Sequence, residues 1–138
     1  MARLLFMLGT TPFIALGAVH ALLTLRDIVQ PRAFAPVDDG VRERMASAPL
    51  GLTRRMTMWT AWLGFNISHG LGLVTFGVVF LMLAARDFAF IEDFRALMAL
   101  TLVVPAIYFV LALRFFYYVP AALVAAGGAC FAVSFVAA

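Results

Sequence analysis

The two histidines of the chain, His20 and His69, both fall inside long apolar runs, where an imidazole is costly unless it meets protein or trapped water. His69 belongs to the stretch W-T-A-W-L-G-F-N-I-S-H-G-L-G, which begins at Trp59 and mixes indole, amide, hydroxyl and imidazole groups. On a helix Trp62, Asn66 and His69 share one face, while Ala61, Gly64, Ser68, Gly72 and Thr75 form a small-residue stripe on another. The first face offers hydrogen bonds and the second suits close packing. His20, Thr24 and Asp27 recur at i, i+4 and i+7 on a separate run, so Asp27 could reach His20 through Thr24 or water. A carboxylate partner of that kind would orient and tune the imidazole as a general base. A third run puts Thr101, Pro105 and Tyr108 on one stripe, with Pro105 expected to free a carbonyl and kink the helix, and Arg114 farther along.

His20, Asp27, Asn66, His69, Tyr108 and Arg114 are therefore the candidate ligand-binding residues. No nucleophile or complete catalytic set accompanies them, so the chain leans away from an enzyme and no catalytic residue is assigned. Cys130 is the one cysteine, which excludes an internal disulfide and any multi-cysteine metal site, and no metal ligand set is assigned. A b-type haem held by His20 and His69 is a weaker reading. By helical rise His20 lies about 9 Å from the end of its run, and His69 roughly 16 Å into its own, a mismatch in depth. Ion transport is weak too, because no run holds an acid near its centre. The plain structural alternative stands beside all of these: Asn66, Ser68 and His69 bond to neighbouring helices for about 0.6 to 2 kcal/mol each. Thr101, Ser134 and Cys130 are expected to bond back to the carbonyl four residues earlier, and Gly17 with Ala21 and Gly127 with Gly128 to let helices approach.

The composition shows what surrounds these residues. In 138 residues 65% are hydrophobic and 12% charged, against about a quarter charged in soluble domains. A helix needs about 20 apolar residues to cross roughly 30 Å of hydrocarbon. Four runs meet that length, at about 4–25, 58–85, 96–116 and 121–138. The first two stop at charged pairs, Arg26-Asp27 and Arg86-Asp87, which suit interfacial anchoring. Tyr117-Tyr118-Val119-Pro120 between the last two makes a tight hairpin with aromatics at interface depth. A cleaved secretory signal over 1–21 is the competing reading of the first run, but the apolar pattern continues through Leu22, Leu23 and Leu25. The expected fold is an all-α membrane protein, a four-transmembrane-helix bundle forming a single domain over 1–138. Its up-down order gathers the candidate residues in the half nearest the first loop, with His69 as the floor.

The basic residues are all arginine, ten in number, falling singly or in pairs at the ends of apolar runs, which excludes a nucleic-acid face. Arg26, Arg32, Arg42, Arg44, Arg54, Arg55 and Arg114 lie on one side and the remaining three on the other. The positive-inside rule then puts the first loop, 26–57, in the cytoplasm and both termini outside. A connection this long is usually either ordered by function or disordered, and this one carries signs of order. Asp38 or Asp39 can cap a short interfacial helix through Arg42, Glu43 and Arg44, with Val41 and Met45 on one face and Pro49 limiting its extent. Pro31, Phe34 and Pro36 keep the chain along the headgroups, where the loop could form a lid. The bland alternative is a topogenic linker.

The phrase W-x-x-W-x-G-F-N-x-S-H-G at 59–70, preceded by a histidine-bearing span and a P-x-x-F-x-P-x-D loop, resembles a family of small uncharacterised bacterial four-helix integral membrane proteins. The resemblance covers most of the chain except the last span. It implies a four-helix fold in a bacterial inner membrane and marks Pro31, Phe34, Pro36, Asp38, Asn66 and His69 as motif positions, but it supplies no activity and no cofactor. Two functions are expected to compete. One is binding of a lipophilic small molecule or lipid in a polar pocket open toward the first loop, with Arg114 or loop arginines meeting an anionic head. The other is an accessory or scaffolding subunit of a larger membrane complex.

Overall fold

The structure, a computed structural model, describes residues 1–137. The elements are α1 (Ala2–Val29), α2 (Asp39–Ser47), β1 (Pro49–Leu50), β2 (Thr53–Thr57), α3 (Met58–Arg86), α4 (Phe88–Asp93), α5 (Arg95–Phe115) and α6 (Tyr118–Val136). Among the described residues four helices, α1, α3, α5 and α6, are long and apolar enough to cross a bilayer. The chain is thus a helical integral membrane protein. The helix that starts at Tyr118 takes Pro120 into its first turn, where the missing N–H costs nothing. The expected run 121–138 ends on Ala138, outside the described residues.

α1 and α3 extend beyond the expected runs. At about 1.5 Å per residue α1, with 28 residues, is about 42 Å long and α3, with 29, about 44 Å, against about 32 Å for the 21 residues of α5. The charged pair Arg26-Asp27 does not end α1, which continues through Ile28 and Val29. The pair Arg86-Asp87 does end α3, and Asp87 then caps α4 by accepting from the Phe90 amide at 3.2 Å. This short helix was not expected from the sequence.

The chain divides into two compact units, and α1 and α3 each run through both. The unit containing 1–16 and the chain from Leu73 onward is held by phenylalanine packing. Phe6 meets Phe80, Phe88, Phe131 and Phe135 at ring-centroid distances between 4.8 and 6.3 Å, and Phe13 meets Phe76 and Phe131. Phe6, Phe13 and Phe131 are fully buried. Lipid is as apolar as these rings, so the stabilisation comes from contact quality and ring geometry, about 0.5 to 1.5 kcal/mol per pair. Glycines bring the backbones close enough for this: a methyl on Gly77 would lie 2.5 Å from the Ile14 side chain, and one on Gly127 2.8 Å from the Gly9 carbonyl. The Arg3 guanidinium donates to the Ala85 carbonyl in the last turn of α3, satisfying an acceptor the helix leaves over. Thr101 and Ser134 do bond back to carbonyls of their own helix, but three residues earlier and not the expected four.

The other unit, Gly17–Gly72, takes the second half of α1, the connection and the first half of α3. Asp38 is the cap of α2, its carboxylate accepting from the Gly40 amide at 2.7 Å, and Asp39 pairs with Arg42 at 3.5 Å. An antiparallel β1-β2 hairpin follows, pairing Pro49 with Thr57. Its strands are too short to show in a hydrophobic pattern. Thr57 and Thr60 then start α3 reciprocally: Thr57 Oγ1 accepts from the Thr60 amide, and Thr60 Oγ1 accepts from the Thr57 amide at 3.0 Å. Where α1 and α3 approach, Gly70 is the contact. A methyl there would lie 2.8 Å from the Gly17 carbonyl oxygen and 2.9 Å from the Ala21 nitrogen. The expected packing stripe is corrected by this. Gly64, Ser68, Gly72 and Thr75 are exposed, and a methyl on Gly64 or Gly72 would meet nothing within 4 Å.

Candidate functional site

Asp27 sits in the last turn of α1, where the helix dipole disfavours a carboxylate. It is 1% exposed and is satisfied from outside the helix. One oxygen accepts from the amides of Arg32 and Ala33, both at 2.9 Å, and the other accepts from the Phe34 amide at 2.6 Å. Three successive N–H groups around one anion form a nest, and it folds the chain back over the end of α1. The expected link from Asp27 to His20 is therefore corrected. The carboxylate is engaged by the loop, and Thr24 Oγ1 donates to the His20 carbonyl at 2.8 Å instead of bridging the two side chains.

Folding back delivers Phe34 to the histidine. Its ring lies over His20 with centroids 4.4 Å apart, and its carbonyl accepts from the Trp62 indole N–H at 2.9 Å. One turn along α3, the Asn66 amide nitrogen donates to the Trp62 carbonyl at 2.8 Å, and Asn66 Oδ1 faces His20 Nε2 at 2.9 Å. The contacts close into a circuit, His20 to Phe34 to Trp62 to Asn66 and back to His20. His69 joins it edge to face, 5.1 Å from His20 between ring centroids, with the Phe65 ring stacked on His69 at 6.3 Å. Asn66 is buried, whereas both imidazoles are half-buried and Trp62 and Phe65 reach the surface. Replacing Trp62 with Phe removes the donor to Phe34 and is expected to cost about 1 kcal/mol. Hydrogen exchange should then speed up over 30–38 and stay unchanged over α6; unaltered exchange over 30–38 would show that the indole does not hold the loop.

Within the unit Gly17–Gly72, His20, Asn66 and His69 are brought together, and Asp27 holds the segment that carries Phe34 over His20. Tyr108 and Arg114 belong to the other unit. Tyr108 packs against the phenylalanine core there, and the exposed Arg114 guanidinium lies 5.5 Å from the ring centroid of its neighbour Phe115. The extension of α1 to Val29 sets His20 deeper below the loop end than the expected run did, and the ring contact puts the two imidazoles side by side. The depth argument against haem falls with that. The rings still do not fit the group, because imidazoles in edge contact leave no space for a porphyrin between them, and His20 Nε2 is engaged by Asn66.

Phe34 and Trp62 are the members of the circuit that the sequence did not assign to the site. Their signal was available in the pairing of a carboxylate at a helix C-terminus with a short P-x-x-F segment downstream. Comparison of the chain with protein-family models, curated proteins and solved structures finds no match.

Proposed function

We propose that this chain binds a lipophilic small molecule or lipid whose polar head is met by the His20–His69 pair. The observation that carries the reading is the closed circuit itself: side chains from α1, the loop and α3 hold two half-buried imidazoles side by side. Packing alone needs only that polar groups be satisfied, and it gives no reason to set two half-buried imidazoles against each other among apolar surfaces. α1 and α3 exceed the hydrocarbon thickness by about 12 to 14 Å. With that excess at the loop end, Asp27, Phe34 and Trp62 lie among headgroups and the imidazoles at the upper boundary of the acyl chains. A molecule with a polar head and an apolar tail suits that position, the tail following the exposed apolar sides of the helices.

In this reading the loop side, with most of the arginines, is cytoplasmic, α2 lies along the headgroups, and the membrane is a bacterial inner membrane, as the resemblance of the 59–70 motif implies. A second reading, an accessory subunit of a larger membrane complex, is favoured by the open stripe of Gly64, Ser68, Gly72 and Thr75 on α3.

Purification in mild detergent, followed by mass spectrometry of bound lipids, quinones and proteins, separates the two. The parent chain is expected to carry a small molecule that is depleted at least tenfold in Asn66→Ala and His69→Ala. A co-purifying protein retained by both variants would favour the subunit reading. A monomer without ligand in all three preparations would overturn both.

A further inference from the structure

The circuit around His20 fixes where its proton sits, and so which head group it accepts. The Trp62 carbonyl can only accept, so the Asn66 atom 2.8 Å from it is the amide N–H. Asn66 Oδ1 is thereby turned to His20, and it too can only accept, so the His20 Nε2 at 2.9 Å carries the proton. An uncharged imidazole has one N–H, which leaves Nδ1 with its lone pair. No buried side-chain nitrogen or oxygen lacks a partner among the described residues, and Nε2 to Asn66 is the hydrogen bond this ring makes there. Nδ1 is therefore at the accessible edge of the ring.

We infer that Asn66 is a specificity-determining residue that holds His20 as a hydrogen-bond acceptor, so that the site takes lipophilic molecules with a hydroxyl head in preference to their ether, ester or ketone counterparts. The inference rests on the ligand-binding reading above and deepens it. An acceptor facing a carbonyl or ether oxygen gains nothing and leaves both groups unsatisfied in an apolar setting, whereas a hydroxyl donates to Nδ1 directly. Discrimination by a fixed acceptor of this kind is steeper than discrimination by apolar fit. Asn66 acts here through His20, as a positioning residue. His69 packs beside the ring from α3, and Phe34 closes its face.

Two measurements on the full chain in lipid nanodiscs test this. With histidine labelled by 15N, the His20 resonances, assigned by loss in His20→Gln, are expected to show a protonated Nε2 and an unprotonated Nδ1. The opposite tautomer overturns the inference without touching the binding reading. The second compares hexadecanol with hexadecyl methyl ether as competitors for whatever co-purifies, or as direct ligands. The alcohol is expected to bind at least tenfold more tightly to the parent chain. Asn66→Leu should bring that ratio close to one. Equal binding of alcohol and ether by the parent chain overturns the inference alone. Binding of neither by a chain that also carries no co-purified molecule overturns the ligand-binding reading with it. If Asn66→Leu fails to fold, the parent comparison and the tautomer still decide.

Discussion

Asp27→Asn is expected to release the segment after α1 and to destabilise the chain by about 3 kcal/mol, the scale of losing charge-assisted hydrogen bonds at a buried site. The carboxylate receives three amides through two oxygens, and a carboxamide has one oxygen. The substituted side chain could keep the Arg32 and Ala33 bonds, but its NH2 would then face the Phe34 N–H, donor against donor. Phe34 would lose its anchor, and with it both the ring contact to His20 and the acceptor for Trp62. Hydrogen exchange at the amides of 32–34 should accelerate by about a hundredfold, the equivalent of about 2.7 kcal/mol. Reversible unfolding in mixed detergent micelles reads the global loss. A variant with parental exchange at these amides would show that the nest does not hold the loop. Asp27→Glu should also fail, because the longer stem pushes the carboxylate past the three amides it fits.

The second large effect belongs to Gly70. A methyl there collides with backbone, the Gly17 carbonyl at 2.8 Å and the Ala21 nitrogen at 2.9 Å, and backbone cannot swing aside as a side chain can. Gly70→Ala must push α1 away from α3 at the level of the imidazoles, and is expected to cost about 2 kcal/mol, within the range for overpacked cores. The His20–Asn66 hydrogen bond spans the same two helices one turn away and should lengthen with them. Gly64→Ala and Gly72→Ala are the controls. Nothing lies within 4 Å of either position, so the change should be neutral or stabilising by up to about 1 kcal/mol through better helix propensity. If Gly70→Ala matches those controls in thermal stability, the close approach of α1 and α3 is wrong. If Gly64→Ala or Gly72→Ala proves harmful only in native membranes, the stripe has a partner there.

How much of this was legible in the sequence follows from which forces write themselves into residue order. The four long helices were, because a span must be apolar along its whole length and nothing else makes about 20 such residues. The end of α1 was not, because Arg26-Asp27 has the composition of a stop. Only the three amides from 32–34 show why a carboxylate can sit in the last turn of the helix. The Trp62–Asn66 spacing was legible as a shared face, but the partner of that face was not. Periodicity says which residues lie together on one helix and is silent about what stands opposite. The same silence misled the choice of packing stripe: Gly64, Ser68 and Gly72 have the right spacing for close approach, yet Gly70 makes the contact. Tyr108 and Arg114 were grouped with the histidines by up-down order, and both lie on α5, in the unit that holds the phenylalanine core. The motif positions Pro31, Phe34 and Pro36 were visible as a pattern, and their physical sense, a turn that lays Phe34 over His20, emerges only when Asp27 is seen to gather the amides.

A lipophilic molecule held beside His20 under Phe34 would be detected at residue level by photolabelling. The chain in lipid vesicles is exposed to a long-chain alcohol bearing a diazirine near its hydroxyl, and the labelled peptides are mapped by mass spectrometry. Adducts are expected to concentrate around His20, Phe34 and the 62–69 turns of α3, and to be displaced by excess unlabelled alcohol. Adducts spread over the exposed apolar faces of α5 and α6, such as Val110 and Val133, and indifferent to competitor, would contradict binding at His20.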